Sequence, residues 1–171
     1  MLDLSKLESG KSELQLIQSD VIPFIKYLSE SFYSLASEKQ INLTVYSEID
    51  ELMMDFDANK LTAILSNILS NAIKFTPNGG EIIVHINEVI HEKSDSKYLL
   101  LKIKDNGHGI DDEELDHIFN RFYQADTNSS RKGEGTGIGL TLTKEFVELM
   151  HGTITVKVNR KKGASLRSKY Q

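Results

Sequence analysis

Three polar residues in LSNILSNAIKF have the types and spacing to do chemistry together. Asn67 and Asn71 are four residues apart and Lys74 follows three later. On a helix, this spacing places all three side chains on one stripe. Asparagine is seldom buried unless its amide is hydrogen-bonded, so two solvated asparagines and a pair of ligating amides are equally open interpretations.

A carboxylate stands beside two glycines in DNGHGI, residues 105 to 110. Asp105 leaves an apolar run, and Gly107 and Gly109 permit the positive φ angles of a tight turn. The sequence therefore predicts a carboxylate held at the end of a strand, next to exposed backbone. On its own, Asp-Asn-Gly is also ordinary turn chemistry.

GEGTGIGL, residues 133 to 140, carries glycine at four alternate positions before an apolar, helix-like run. Neither a strand nor a helix benefits from this pattern. A flexible loop and a backbone that approaches a ligand closely both remain possible. Free amides and the helix dipole at the following helix N-terminus would attract phosphate.

Two common phosphate-binding patterns do not fit. SGKS at residues 9–12 lacks the first glycine of a P-loop, since Ser5 stands at that position. The later glycines fail the dinucleotide pattern GxGxxG, because Leu140 stands where a third glycine is needed and no strand precedes the run.

The composition of the 171 residues, 39% apolar and 26% charged, predicts one ordinary domain with a real core. The absence of cysteine excludes disulfides, thiolate nucleophiles and cysteine metal sites. A net charge of −5 argues against a broad nucleic-acid surface.

Hydrophobic periodicity predicts the elements that must position these residues. We expect strands at 13–18, 41–47, 51–56, 81–90 and 98–105 and in GTITVKV, a short acidic helix at 111–119, and longer helices from Val21, after Asp57 and from Ile138. The first long helix carries the apolar stripe Val21, Ile25, Leu28, Phe32 and Leu35. The second carries the strongest stripe, Leu61, Ile64, Leu65, Ile68, Leu69, Ala72 and Ile73.

In this order, the motifs closely resemble the catalytic, ATP-binding domain of sensor histidine kinases. LSNILSNAIKFTPNGG resembles the N box of that family, DNGHGI its first glycine box, IFNRFY its F box and GEGTGIGL its second glycine box. The four motifs cover residues 57 to 140. LDLSKLESGK resembles the tail of the preceding dimerisation helix, which would divide the chain into residues 1–10 and a domain at 11–171.

The resemblance implies an α+β fold, a two-layer α/β sandwich of the Bergerat type. One mixed, mainly antiparallel sheet would be backed by three helices, with the nucleotide between a helix and a lid. KKGASLRSKYQ departs from the family because it lacks the alternating apolar strand expected there, which puts residues 164–171 and the last edge of the sheet in doubt.

The resemblance also implies roles for single residues toward ATP and Mg²⁺. Asn71 would ligate the metal, Asp105 would accept a hydrogen bond from the adenine amino group, and Asn67 would replace the glutamate base of hydrolytic relatives. Catalysis would involve Asn67, Lys74 and Arg121. The nucleotide-binding residues would be Asn67, Asn71, Lys74, Phe75, Asp105, Gly107, Gly109, Ile110, Phe119, Phe122, Gly135, Thr136, Gly137, Ile138, Gly139 and Leu140.

The reaction implied is transfer of the γ-phosphoryl group to a histidine on a helical hairpin that this chain lacks. None of the five histidines here, His85, His91, His108, His117 and His151, lies in a His-Glu acceptor motif. A response-regulator receiver would be the second partner, and nucleic acid is not expected. We expect a soluble, monomeric fragment from the cytoplasmic side of a homodimeric, membrane-bound parent.

Two other functions remain open. A hydrolytic ATPase of the same superfamily is disfavoured by Asn67, because an amide cannot take a proton from water. A docking module without phosphotransfer is disfavoured because Asn71 and Asp105 are both present.

Overall fold

The computed structural model describes residues 13–91, 96–123, 137–159 and 163–170, the last segment by its backbone. The elements follow in the order β1 (Leu16–Asp20), α1 (Val21–Glu30), α2 (Tyr33–Glu38), β2 (Asn42–Ser47), β3 (Met53–Asp57), α3 (Ala58–Phe75), β4 (Glu81–His91), β5 (Ser96–Asp105), α4 (Asp112–Leu115), α5 (Gly139–Leu149), β6 (Thr153–Asn159) and β7 (Gly163–Tyr170). None of these helices has the length and apolar character needed to cross a membrane.

Five strands form the main sheet in the order β2-β4-β5-β7-β6. β2 runs parallel to β4, and every other pair in this sheet is antiparallel. The prediction of a mixed, mainly antiparallel sheet is therefore confirmed. β5 is its middle strand, as its continuous apolar start indicates.

The core lies between one face of this sheet and the three longer helices, α1, α3 and α5. Alternate residues of β4 and β5 are buried on that face, namely Ile82, Val84, Ile86, Leu99, Leu101 and Ile103. All seven residues of the predicted α3 stripe are buried as well. Each such side chain contributes roughly 1.5–3 kcal/mol of transfer free energy, which fixes α3 firmly against the sheet.

β1 and β3 do not join the main sheet, so the expectation of a single sheet is wrong. They pair with each other in a separate antiparallel ribbon, from Leu16 opposite Asp57 to Asp20 opposite Met53. Each strand runs directly into a helix through an aspartate that caps it, Asp20 for α1 and Asp57 for α3. The ribbon is thus tied to the helix N-termini rather than to a sheet edge.

The first predicted helix is also divided. α1 ends at Glu30, α2 begins at Tyr33, and Leu35 is 44% exposed instead of continuing the buried stripe. Ser31 stands at the break, and its hydroxyl donates to the Leu28 carbonyl at 2.6 Å. Serine side chains compete with the helix for backbone partners in this way.

The doubtful end of the sequence forms a strand after all. β7 lies between β5 and β6 and pairs with both, so the edge of the sheet is β6. For example, Leu166 stands opposite Ile103 on one side and Val156 on the other. Backbone pairing on two sides specifies this strand without an alternating apolar pattern.

Candidate nucleotide-binding site

The N-terminus of α3 is fixed by the buried carboxylate of Asp57. Its two oxygens accept hydrogen bonds from the Lys60 amide at 3.0 Å, the Lys60 ammonium at 2.8 Å and the Gln15 amide at 2.9 Å. Burial alone raises the pKa of Asp57, but the hydrogen bonds from Lys60 and Gln15 outweigh it and hold that pKa below its ordinary value. Asp57 is therefore the N-cap of α3, and its lowered pKa favours the charged form.

The C-terminus of α3 is fixed by a residue that the sequence did not single out. The ammonium of Lys39 donates to the carbonyls of Ile73, Lys74 and Thr76 at 2.7, 3.0 and 3.0 Å. A cation is favourable at a helix C-terminus, where the last carbonyls have no partner within the helix. Lys39 lies just after α2, so the hydrophobic pattern of α3 could not reveal its role.

Asn67 links α3 to the first turn of α5. Its side-chain amide donates to the Gly139 carbonyl at 3.2 Å, and the Thr143 hydroxyl donates to the same oxygen at 2.9 Å. A Cβ at Gly139 would lie 3.4 Å from the Asn67 side-chain oxygen, closer than most such contacts. This contact brings the N box beside the second glycine box.

Asn71 lies one turn further along the same stripe and is half-buried. The described part of the chain offers its amide no hydrogen-bond partner, which distinguishes it from Asn67. A half-buried amide without a protein partner could ligate Mg²⁺ through its oxygen. Across the described ranges, no group of three or more histidine, aspartate or glutamate side chains could hold a metal, so phosphate oxygens and water would have to complete the shell.

Lys74 and Phe75 end α3 at the surface. The Lys74 ammonium lies 5.3 Å from the centroid of the Phe75 ring, which is 51% exposed. An exposed ring and a cation at this position could contact a base and a phosphate, respectively.

The loop after β5 packs against this end of α3. The Gly107 amide donates to the Asp105 carboxylate at 2.9 Å, and a Cβ at Gly107 would lie only 2.6 Å from the Phe75 carbonyl oxygen. His108 Nδ1 lies 3.1 Å from the same carbonyl, which accepts a hydrogen bond from it. Gly107 is thus required by a close backbone approach, and Asp105 is oriented by the turn.

The rest of this loop matches the predicted turn chemistry. Gly109 has φ +78°, a conformation that favours glycine. Ile110 follows it and is half-buried. The predicted helix over 111–119 is shorter than expected, since α4 contains only Asp112–Leu115 and gives way to turns.

α5 begins at Gly139 without a side-chain cap. Ile138 precedes it and makes no capping hydrogen bond through its side chain, and Gly137 has φ +66°. Leu140, in the first turn, is half-buried. The first amides of an uncapped helix are groups that can bind phosphate, so this end of α5 could hold a phosphate group.

The F box is bonded to side chains of α5. The Thr141 hydroxyl donates to the Phe119 carbonyl at 2.9 Å, and Arg121 Nη2 lies 2.9 Å from Glu145 Oε1. Phe122, with φ +64°, donates its amide to the Gly137 carbonyl at 3.0 Å and leaves its ring 72% exposed.

The structure thus brings α3, the loop after β5 and the start of α5 together around one site. Gly135 and Thr136 lie outside the described residues. Residues 124–136, which precede α5, lie outside them too, so the structure does not describe the lid that the resemblance implies.

The sequence profile of the histidine kinase-, DNA gyrase B- and HSP90-like ATPases matches residues 56–170, more than half of the chain. The chain belongs to this family. The match also confirms the predicted fold.

Curated proteins that are similar to this chain include histidine kinases. Over 160 residues the chain is 36% identical to hybrid signal transduction histidine kinase D of Dictyostelium discoideum, covering 91% of this chain and 10% of the relative. Over 157 residues it is 36% identical to the sensor histidine kinase TmoS of Ectopseudomonas mendocina, covering 91% and 15%. The chain therefore spans less than a fifth of either relative.

Solved structures confirm the ATPase fold. The catalytic domain of the histidine kinase ThkA superposes with a TM-score of 0.76 at 19% identity, covering 92% of this chain and 97% of that domain. The histidine kinase AdeS of Acinetobacter baumannii superposes with a TM-score of 0.72 at 19% identity, covering 98% and 72%. The two-layer Bergerat-type sandwich is thus the fold of this chain.

Proposed function

We propose that this chain is the catalytic domain of a sensor histidine kinase, which binds Mg-ATP and transfers its γ-phosphoryl group to a histidine on another domain. One observation carries the proposal: Asn67 bonds to Gly139 in the uncapped first turn of α5, and Asn71, whose amide has no partner among the described residues, follows one turn later on the same stripe of α3. Residues 11–171 would form this domain, and residues 1–10 would be the tail of an upstream helix.

The family and its relatives support the proposal. The full-length histidine kinase ShkA, solved in complex with AMPPNP, superposes on this chain with a TM-score of 0.76 at 24% identity, covering 92% of this chain and 31% of ShkA. Relatives named hybrid and sensor kinases support a parent with further domains. A dimerisation hairpin and a receiver would be its partners, on the cytoplasmic side of a homodimeric, membrane-bound parent.

Adenine recognition would depend on Asp105. Its carboxylate is oriented by the Gly107 amide, and it would accept a hydrogen bond from the exocyclic amino group of adenine. Guanine presents a carbonyl at the corresponding position, so the same carboxylate would repel it. Phe75, Gly109 and Ile110 would line the base.

Phosphate recognition would depend on the two helices. Asn71 would hold Mg²⁺ through its amide oxygen, Lys74 would contact phosphate as a point charge, and the first amides of α5 would bind phosphate oxygens. Bound Mg-ATP supplies the phosphoryl group and the neutralising ion. The residues of this chain then act by positioning, which provides most of the catalysis in phosphoryl transfer.

Asn67 would keep hydrolysis slow. Its amide nitrogen already donates to the Gly139 carbonyl, and an amide oxygen is too weak a base to activate water. The phosphoryl group would therefore be retained for a histidine.

Nucleotide calorimetry tests the binding step. We expect Mg-ATP to bind and GTP to bind at least about tenfold more weakly, since the unfavourable contact at Asp105 discriminates between the bases. Asp105→Asn should reduce this discrimination, whereas Asp111→Asn, an exposed neighbour in the same loop, should not. Equal affinity for both nucleotides would contradict the proposal.

Labelling tests the transfer step. Incubation with γ-labelled ATP should leave the chain alone unlabelled and should label a helical hairpin from a related kinase supplied as a separate polypeptide. The product should be acid-labile and alkali-stable, as a phosphohistidine is. Rapid steady ATP turnover without any acceptor would instead favour a hydrolytic ATPase.

A further inference from the structure

Two side chains one turn apart on α5 hold the F box. Thr141 donates to the Phe119 carbonyl, and Glu145 pairs with Arg121 at 2.9 Å. The side chains of Glu145 and Arg121 are 30% and 41% exposed, so neither is sealed in the protein interior.

The position of Glu145 along the helix determines where it holds Arg121. Glu145 lies six residues after Gly139, so its Cα is about 9 Å along the helix axis from the first residue of α5. Phosphate is attracted to the N-terminus of the helix, whereas the ion pair holds the guanidinium at the carboxylate of Glu145.

Carboxylate and phosphate compete for the same guanidinium, since both accept its fixed pattern of donors. We propose that Glu145 is a positioning residue that holds Arg121 away from the nucleotide phosphates. When the phosphates bind, they must replace the Glu145 carboxylate as a partner of Arg121. This inference rests on the proposed binding of Mg-ATP. It predicts that removing the Glu145 charge strengthens nucleotide binding through Arg121.

The chain offers a matched control on the same helix. Glu148 lies three residues after Glu145, and its carboxylate lies 3.9 Å from Lys144, with both side chains about half exposed. That ion pair contains no F-box residue. Glu148→Gln removes one negative charge from α5 without changing the partner of Arg121.

The experiment compares Mg-ATP affinity by calorimetry in the parent chain, Glu145→Gln, Glu148→Gln, Arg121→Ala and the double variant of Glu145 and Arg121. We expect Glu145→Gln to bind Mg-ATP about two- to fivefold more tightly, the range that partly exposed ion pairs support. Glu148→Gln should match the parent. In the Arg121→Ala background, the gain from Glu145→Gln should disappear.

Adenosine separates a phosphate effect from a structural one. Because it has no phosphate, its affinity should be the same in the parent and in Glu145→Gln. Unchanged or weaker Mg-ATP binding in Glu145→Gln, an equal gain in Glu148→Gln, or a gain that persists without Arg121 would overturn the inference. If the parent binds Mg-ATP and Glu145→Gln binds it no more tightly, only this inference is rejected. If the parent binds no Mg-ATP, the proposed function is rejected as well.

Discussion

At the scale of single residues, two asparagines that look equivalent in the sequence differ in their contacts. Asn67 spans to α5 through the Gly139 carbonyl, whereas Asn71 has no partner among the described residues. Asn67 therefore links two helices, whereas Asn71 is the residue that we propose to bind the metal.

We therefore expect Asn71→Ala to weaken ATP binding at least about tenfold in the presence of Mg²⁺, the lower range for disturbed metal sites. ATP binding in the presence of a chelator should be unchanged, as should the thermal unfolding midpoint. Calorimetry with and without Mg²⁺ measures the difference. Asn59→Ala, an exposed asparagine in the first turn of α3, is the control, and equal Mg²⁺ dependence in both variants would contradict the role of Asn71.

Asp57 makes stability depend on pH. Its pKa is depressed in the folded state, so its charge contributes stability above the unfolded pKa of about 3.9, and this contribution is lost as pH falls through the folded value. Asp57→Asn should lower the free energy of unfolding by about 1–2 kcal/mol at pH 7 and should flatten its acid dependence.

Chemical denaturation between pH 7 and pH 3 measures this effect. Asp55→Asn, an exposed aspartate two residues earlier on β3, should keep the full acid dependence of the parent. An Asp57→Asn variant with an unchanged pH profile would show that the buried carboxylate is not the titrating group.

The sequence predicted a set of candidate site residues but not what they contact. Spacing placed Asn67, Asn71 and Lys74 on one stripe, because helical geometry is local. The bond from Asn67 to Gly139 joins residues 72 positions apart, and no local pattern encodes it. The pairing of Arg121 with Glu145 was missed for the same reason.

At the scale of elements, α3 is held at both ends by charges from other segments. Asp57 at the N-terminus and Lys39 at the C-terminus complement the helix dipole, and each also satisfies several backbone groups. α3, which would form one wall of the proposed nucleotide site, is therefore fixed at both ends.

Lys39→Met should loosen the C-terminal end of this wall. The variant keeps an aliphatic side chain but loses three charge-assisted hydrogen bonds, so we expect about 1–3 kcal/mol of lost stability. Faster hydrogen exchange in the last turn of α3 would localise the effect. Lys26→Met on α1 is the control, because no partner of Lys26 is found among the described residues, and equal losses would exclude a specific cap.

Helix periodicity predicted α3 fully, since its stripe is long and uninterrupted. It failed at Ser31, where the hydroxyl bonds to the Leu28 carbonyl and competes with continuation of the helix. The apolar stripe in the sequence continues past this break and gives no sign of it. The pairing of β1 with β3 was missed because it joins segments more than 30 residues apart, from Leu16 opposite Asp57 to Asp20 opposite Met53.

At the scale of the whole molecule, β7 joins two halves of the sheet. Among the described strands, β7 is the only one that pairs with β6, and it also covers one edge of β5. The sequence left this strand in doubt because its side-chain pattern is weak, whereas its pairing is specified by backbone on both sides.

Deleting residues 163–171 should therefore abolish cooperative unfolding, because β6 loses its partner and the middle strand becomes an exposed edge. Deleting residues 1–10 removes a similar length but leaves every described element intact, and it should retain a sharp transition. Thermal unfolding followed by circular dichroism compares the two. A cooperative transition without β7 would show that the remaining four strands suffice.

The position of β7 also has a consequence for synthesis on the ribosome. β5 leaves the exit tunnel about 60 residues before β7. The edge of β5 that pairs with β7 therefore has no partner until β7 has been synthesised. Non-local pairing of this kind slows folding, and an open apolar edge is prone to aggregate. The nascent chain should therefore depend on chaperones until β7 has emerged, although the finished domain has its middle strand fully paired.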